Sequence, residues 1–198
     1  MTRRQWAVVA PLAVWLTACD QFFHLRTETL VYHWHPQVFG QTIIVPFVFG
    51  LAIVAMFQVA GALEGGRRAS LAGSMALVTG AYLLSGLLAP RFAVAYAIVL
   101  VVLWLARVAW RGDARLLVVG VAIAVGGVLG EAALSAVGEF DYLDPDVLRV
   151  PWWLFGLYLH GSLVAVDLVQ RLRDSPPSTG SITPVKKLAA GESKNAAA

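Results

Sequence analysis

Residues 92–110 read FAVAYAIVLVVLWLARVAW, and after the charged run Arg111, Gly112, Asp113, Ala114, Arg115 residues 116–137 read LLVVGVAIAVGGVLGEAALSAV. At about 1.5 Å of rise per residue, each stretch is long enough to cross ~30 Å of hydrocarbon as a helix. Within them only Arg107 and Glu131 carry charge. Two apolar helices joined by a short charged turn make a transmembrane hairpin, because inside a bilayer each helix satisfies its own backbone hydrogen bonds. Working outward, the same rhythm recurs at Trp6 to Phe23, Val38 to Leu63 and Ala69 to Ala89, and again at Pro151 to Gln170. Each segment ends at charge or at a breaker: Glu64, Gly65, Gly66, Arg67 and Arg68 close the second, and Pro90 and Arg91 part the third from the fourth.

The sequence therefore predicts an all-α integral membrane protein of six transmembrane helices, with residues 1–173 as the membrane domain and spans at about 6–23, 38–63, 69–89, 92–110, 116–137 and 151–170. From Asp174 to Ala198 the composition turns to Ser, Pro, Thr, Gly and Lys, and a disordered cytoplasmic tail is expected. Over the whole chain of 198 residues, 59% are hydrophobic and 14% charged, membrane proportions that exclude a soluble enzyme. The net charge of +3 implies no nucleic acid. A single cysteine, Cys19, excludes an intrachain disulfide and a Cys-X-X-Cys pair. No two of His24, His33, His35 and His160 are four residues apart, and His33 and His35 flank Trp34 in a loop, so they read as interfacial polar residues. Neither a metal nor a cofactor is expected.

Orientation follows from the positive charges. With both termini inside, Arg3, Arg4, Arg67, Arg68, Arg107, Arg111, Arg115, Arg171, Arg173, Lys186, Lys187 and Lys194 are cytoplasmic, and only Arg26, Arg91 and Arg149 lie outside. The last external loop is acidic, with Glu139, Asp141, Asp144 and Asp146, and Trp34, Trp152 and Trp153 fall where an aromatic belt belongs. An alternative at the N-terminus is a lipoprotein signal: Arg3 and Arg4, an apolar run, then Leu16, Thr17, Ala18 and Cys19, with cleavage before a lipidated Cys19.

Ionisable groups within spans are costly and mark functional candidates. Counting residues from the inner end of each span sets Asp20 and Glu131 at similar depth in the outer half, and Tyr82, Ser85, Arg91 and Tyr96 fall in the same layer. Two readings stand side by side: a polar lining for a lipid headgroup, or interfacial and interhelical polar groups without a ligand. Asp167 precedes Arg171 by one helical turn, so an i, i+4 ion pair is expected there. His160 reads as a single interhelical hydrogen bond, with no partner evident at its depth. In the fifth span Ala122, Gly126 and Gly130 repeat at four-residue spacing, which predicts tight helix contact or, alternatively, a thin wall beside a lipid cleft. Pro46 and Gly50 are expected to bend or slim the second span.

The segment Phe140, Asp141, Tyr142, Leu143, Asp144, Pro145, Asp146, Val147, Leu148, Arg149, Val150, followed by Trp153, Leu154, Gly161 and Gln170, Arg171, Leu172, resembles the last loop and sixth helix of the Insig family. Gly120, Val121, Ala122, Ile123, Ala124 resembles the start of that family's fifth helix, and Val45, Pro46 with Gly50 a stretch of its second. The resemblance spans most of residues 6–172 and is closest over the final sixty. Eukaryotic Insigs are endoplasmic-reticulum proteins that bind oxysterols within the helix bundle and hold Scap, or present HMG-CoA reductase for degradation. The resemblance thus implies a lipid-sensing binding protein and no catalyst, with the ligand among spans one to five. The family's Asp-Arg-Ser-Arg-Ser-Gly run for Scap contact is replaced here by Arg111, Gly112, Asp113, Ala114, Arg115, which argues against a Scap-like partner.

Composition rich in Ala, Val, Gly, Leu and Arg and poor in Lys and Asn points to a bacterial source, and so to the plasma membrane and a ligand other than an oxysterol. The expected function is binding of a sterol-like lipid, an isoprenoid or a neutral glycerolipid such as diacylglycerol. The expected site is Asp20, Tyr82, Ser85, Arg91, Tyr96, Gly126, Gly130 and Glu131. Homo-oligomerisation is open, and no protein partner is assigned. The alternatives are a lipid-modifying enzyme using Asp20, Glu131 and His160 as acid–base groups, and a structural or transport subunit.

Overall fold

The computed structural model describes residues 1–63, 67 and 69–174. The expected tail therefore lies outside the described residues, apart from Asp174 at its start. Five long helices and two short β-pairs form the fold.

Helix α1, Arg3–Asp20, opens on a capping box: Gln5 N–H donates to Thr2 Oγ1 (3.2 Å), and Thr2 N–H donates to Gln5 Oε1 (2.7 Å). It runs on without a break into a π-helical turn, Gln21–Leu25, two residues beyond the expected span. Cys19 is free and buried within this continuous helix. The wider turn brings His24 onto the buried side, beneath Asp20.

The second span is shorter than expected. Residues from 38 do not join the helix, because Gln37–Val38 (β2) and Gln41–Thr42 (β3) pair across a turn where Phe39 and Gly40 have φ of 52° and 85°. Helix α2, Val45–Ala60, starts with Pro46 in its first turn. Proline there has a preset φ and an N–H that no helical carbonyl needs, so Pro46 starts the helix and does not bend it.

The third and fourth spans are one element, α3, Leu71–Arg111, with a kink at Phe92 (φ −136°, ψ 29°). Pro90 has no N–H to donate to the preceding turn, which is why the ladder breaks there. The two halves, Leu71–Leu88 and Arg91–Arg111, are each long and apolar enough to cross a membrane, as are Arg3–Leu25, α4 (Arg115–Ala136) and α5 (Trp152–Asp174). With the shorter apolar α2, this is a bundle of six spans.

The chain alternates between two ends. At one end the loops after α1 and after α4 meet as an antiparallel ribbon: β1 (Leu30–Tyr32) pairs with β4 (Phe140–Tyr142), Val31 opposite Asp141. That end is called the ribbon end and the other the terminal end. The alternating pattern in both strands turns Leu30, Tyr32, Phe140 and Tyr142 inward. Helix α5 is the hub, buried from Trp153 to Gln170 except at Phe155, Tyr158 and Gly161, and packed against α3, α4 and α2.

Close packing uses glycines other than the expected ones. Gly126 and Gly130 face outward with no atom within 4 Å of a Cβ built on either, and Ala122 is exposed beside them. Within α4 the tight approaches are at Gly120, where a Cβ would sit 2.4 Å from the Trp104 ring, and at Gly127, 2.4 Å from the Tyr158 ring. The four-residue repeat marks the outer face of α4. Spacing alone does not say which of two small-residue stripes faces the bundle; the large rings of Trp104 and Tyr158 do.

Candidate functional site

Two adjoining cavities open between the helices. The apolar one runs toward the terminal end between α1, α2, α3 and α5, with walls such as Leu16, Ile53, Met56, Val164 and Leu168. The polar one lies under the ribbon and is lined by Asp20, His24, Tyr32, Glu131, Glu139 and Tyr142 among others. Phe49, Ala52, Tyr82 and Tyr158 line both, so the pair forms one slot with an apolar depth and a polar head.

Asp20 is held by three elements. Tyr32 Oη and Gln41 Nε2 each donate to its Oδ2 at 2.8 Å, and His24 Nδ1 lies 3.2 Å from Oδ1, one turn along the same helix. His24 Nε2 reaches Ser85 Oγ at 2.8 Å, and the Ser85 proton has a second acceptor in the Tyr82 carbonyl at 2.8 Å. The imidazole is clamped between Tyr82 and Trp153, with ring centroids at 4.9 and 5.2 Å. Serine, histidine and aspartate in this order resemble a nucleophile with its base. Ser85, however, is 0% exposed and lines neither cavity.

Glu131 accepts from two tyrosines, Tyr142 on β4 and Tyr158 on α5, the latter at 2.7 Å. Burial and the Glu131 carboxylate push the Tyr142 hydroxyl well above the usual tyrosine range, and burial and Asp20 do the same to Tyr32. Both hydroxyls therefore stay protonated and serve as donors. Glu139 differs from these two acids. It is 1% exposed, yet its Oε2 has no hydrogen-bond partner among the described residues. Burial and the nearby Asp20 push its carboxyl above the usual glutamate value.

The expected site is thus brought together in part. Asp20, Tyr82 and Glu131 line one polar cavity, and Ser85 stands one hydrogen bond behind them. Tyr96 is buried off the cavity, donating to the Ala81 carbonyl at 2.7 Å and pinning the two halves of α3. Arg91 is exposed and, like Gly126 and Gly130, lines neither cavity, because counting along a helix does not say which way a residue faces. Five further positions line or support the polar cavity without having been expected there: His24, Tyr32, Gln41, Tyr158 and Glu139. For His24 a signal existed, its i, i+4 spacing from Asp20, hidden by ending the span at Phe23. Glu139 was read with Asp141, Asp144 and Asp146 as a solvated acidic loop; the other three are exposed, but Glu139 is turned in beneath the ribbon.

A second polar cluster lies toward the terminal end between α3 and α5. Arg111 donates twice to Asp167, at 2.9 and 2.6 Å, so this buried carboxylate pairs across helices with Arg111 in place of the expected Arg171. Ser74 donates to Asp167 (3.2 Å), and Arg107 donates to Ser74 (2.7 Å) and meets His160 Nδ1 at 2.9 Å. His160 Nε2 must be the protonated nitrogen, because its partner at 2.9 Å is the Leu100 carbonyl, which only accepts. His160 therefore has partners at its depth after all, and it belongs to a different cluster from Asp20 and Glu131. The acid–base trio of the enzymatic alternative does not assemble.

Neither a protein-family model nor a curated protein sequence matches the chain. Solved structures do. A cross-linked trimer of a cysteine variant of MvINS is 26% identical with a TM-score of 0.78, covering 89% of this chain and 98% of that chain. A second structure of MvINS, a mycobacterial Insig homologue from Mycobacterium vanbaalenii, is 24% identical with a TM-score of 0.74 over the same shares and supports the fold alone. By sequence segments and by structure, the chain is an Insig-like integral membrane protein, similar to a bacterial Insig homologue.

Proposed function

We propose that the chain binds one membrane lipid in the slot among α1, α2, α3, α4 and α5, with the lipid's chain in the apolar cavity and its polar end under the ribbon. The observation that supports this most is the junction itself: an apolar cavity continues into a carboxylate-lined one through shared walls. Apolar burial supplies affinity there, and a few placed polar groups fix orientation. A neutral glycerolipid such as diacylglycerol, an isoprenoid or a sterol-like lipid suits it; in this reading the protein is a lipid sensor and not a catalyst. Asp20, Tyr82 and Glu131 face the ligand, and Ser85 acts through His24.

The same reading places both termini on the cytoplasmic face of a bacterial plasma membrane, on the charge distribution given above. It also takes the chain to be a homo-oligomer, supported by the trimer in which MvINS was crystallised and by the outward apolar face of α4, where Val118, Val125 and Leu129 are exposed. Native mass spectrometry of the intact protein from its host membrane tests lipid binding and assembly together, and protease or thiol labelling of intact cells tests the orientation. A stoichiometric adduct of defined mass on an oligomer is the expected result; a bare chain, or one carrying only bulk phospholipid that detergent strips, would count against lipid sensing.

A further inference from the structure

We propose that Glu139 accepts a hydrogen bond from the polar end of the bound lipid, so that the slot selects lipids whose polar end is a donor and rejects those whose polar end is anionic. This rests on the lipid-binding reading above and gives it a chemical class.

The argument is one of satisfied and unsatisfied atoms. Asp20 has donors on both oxygens, and Glu131 has a tyrosine hydroxyl on each of its own. Glu139 lines the same cavity, is 1% exposed, and keeps an orphan Oε2. Buried polar atoms in folded proteins are nearly always partnered, and an orphan acceptor facing a cavity is a place for a donor from outside the chain. Its carboxyl is pushed upward by burial and by Asp20, a strain that an incoming donor relieves. Among the described residues the cavity is lined by no lysine or arginine; His24 is the one lining side chain there able to carry positive charge, and it is taken up by Asp20 and Ser85. A phosphate or a free carboxylate would meet three carboxyl groups without a cation, whereas an esterified head without a proton would leave Oε2 as it is.

The test uses the full chain in detergent, with thermal shift and native mass spectrometry against four probes: dioleoylglycerol, its O-acetyl ester, dioleoyl phosphatidic acid and oleylamine. Wild type is expected to hold dioleoylglycerol about tenfold more tightly than the O-acetyl ester or phosphatidic acid, the usual worth of one hydrogen bond to a charged group. Glu139→Met should erase that preference, and Glu139→Gln, which keeps an acceptor oxygen, should retain its order. Without lipid, Glu139→Met should melt no lower than wild type, because it removes an unpartnered buried polar group; a purely structural glutamate would give the opposite. Tighter binding of oleylamine than of dioleoylglycerol supports the donor rule and identifies the donor as an ammonium. Equal binding of the acetylated lipid by wild type, or an unchanged preference in Glu139→Met, overturns the proposal while leaving lipid binding intact. Binding of none of the four overturns it together with the lipid-binding reading.

Discussion

The bundle carries two buried polar clusters of similar composition and opposite character. Toward the terminal end, Ser74, Arg107, Arg111, His160 and Asp167 interlock between α3 and α5: guanidinium meets carboxylate, imidazole meets carbonyl, and neither cavity reaches them. At the ribbon end, three carboxyl groups share a cavity with one histidine, and Glu139 is left with an orphan oxygen. The first has neither cavity beside it and sets two guanidinium groups around one carboxylate, with Arg111 Nε left without a partner among the described residues; the second lines a cavity and is acidic. Buried ion pairs fix how helices pack, whereas an unpartnered acceptor beside a cavity is where a ligand completes the structure.

Breaking the closed cluster should cost most. Asp167→Ala leaves Arg111 buried without its partner, and loss of one member of a buried pair costs about 3–5 kcal/mol. Thermal unfolding in detergent should show it as a large fall in melting temperature. A fall no greater than that of an exposed substitution would mean that water reaches Arg111 and that the cluster is not closed.

Next comes the tyrosine that joins the two cavities. Tyr158→Phe keeps the ring against Gly127 but takes a donor from Glu131, a loss of about 1.5–3 kcal/mol for a hydrogen bond to a charged group. Bound lipid should offset part of that loss, so the variant's deficit should shrink when dioleoylglycerol is added. A deficit identical with and without lipid would separate Glu131 from the ligand.

The glycines of α4 give an internal control. Gly127→Ala drives a Cβ to within 2.4 Å of the Tyr158 ring, and overpacking of this kind costs about 1–3 kcal/mol. Gly130→Ala meets no atom within 4 Å and should stay within about 0.5 kcal/mol of wild type in the isolated chain. If Gly130→Ala instead dissociates an oligomer, its face is the contact between copies.

These contrasts also show what was legible in the sequence. Length and hydropathy gave the spans because a membrane helix must satisfy its own backbone over a fixed thickness, and that constraint acts on every residue from Phe92 to Trp110 alike. Depth was legible for the same reason, which is how Asp20, Tyr82 and Glu131 were placed in one layer. Azimuth was not, since α4 is apolar or small on every side and nothing in its periodicity tells Gly127 from Gly130. The cavity's outer wall was invisible because it depends on β1 pairing with β4 across more than a hundred residues, and only that register turns Asp141 outward and Tyr142 inward. The partner of Asp167 was misread for a related reason: Arg171 is near in sequence, but Arg111 is the residue that helix packing brings to its oxygens.

The smallest effect is expected at the turn before α4, and its value lies in its sign. Arg115 donates to Asp113 from its backbone N–H (3.0 Å) and twice from its guanidinium (both 2.9 Å), which holds the Asp113 carboxyl below the usual aspartate value. A carboxyl depressed in the folded state adds stability above its unfolded-state pKa and loses it as pH falls through the lower, folded value. Glu139 is shifted the other way, so its contribution is fully present below the unfolded value and is lost as pH rises through the folded one. Asp113→Asn should therefore flatten the acid limb of the stability curve by less than about 1 kcal/mol, as befits an exposed pair. Glu139→Gln should remove a slope of opposite sign, seen as a relative gain at neutral pH. Melting curves across the acid range for the two variants would then diverge from wild type in opposite directions. The same direction in both would mean that the Glu139 carboxyl is already partnered in the lipid-free chain, and the contrast between an open and a closed end of the bundle would rest on cavity shape alone.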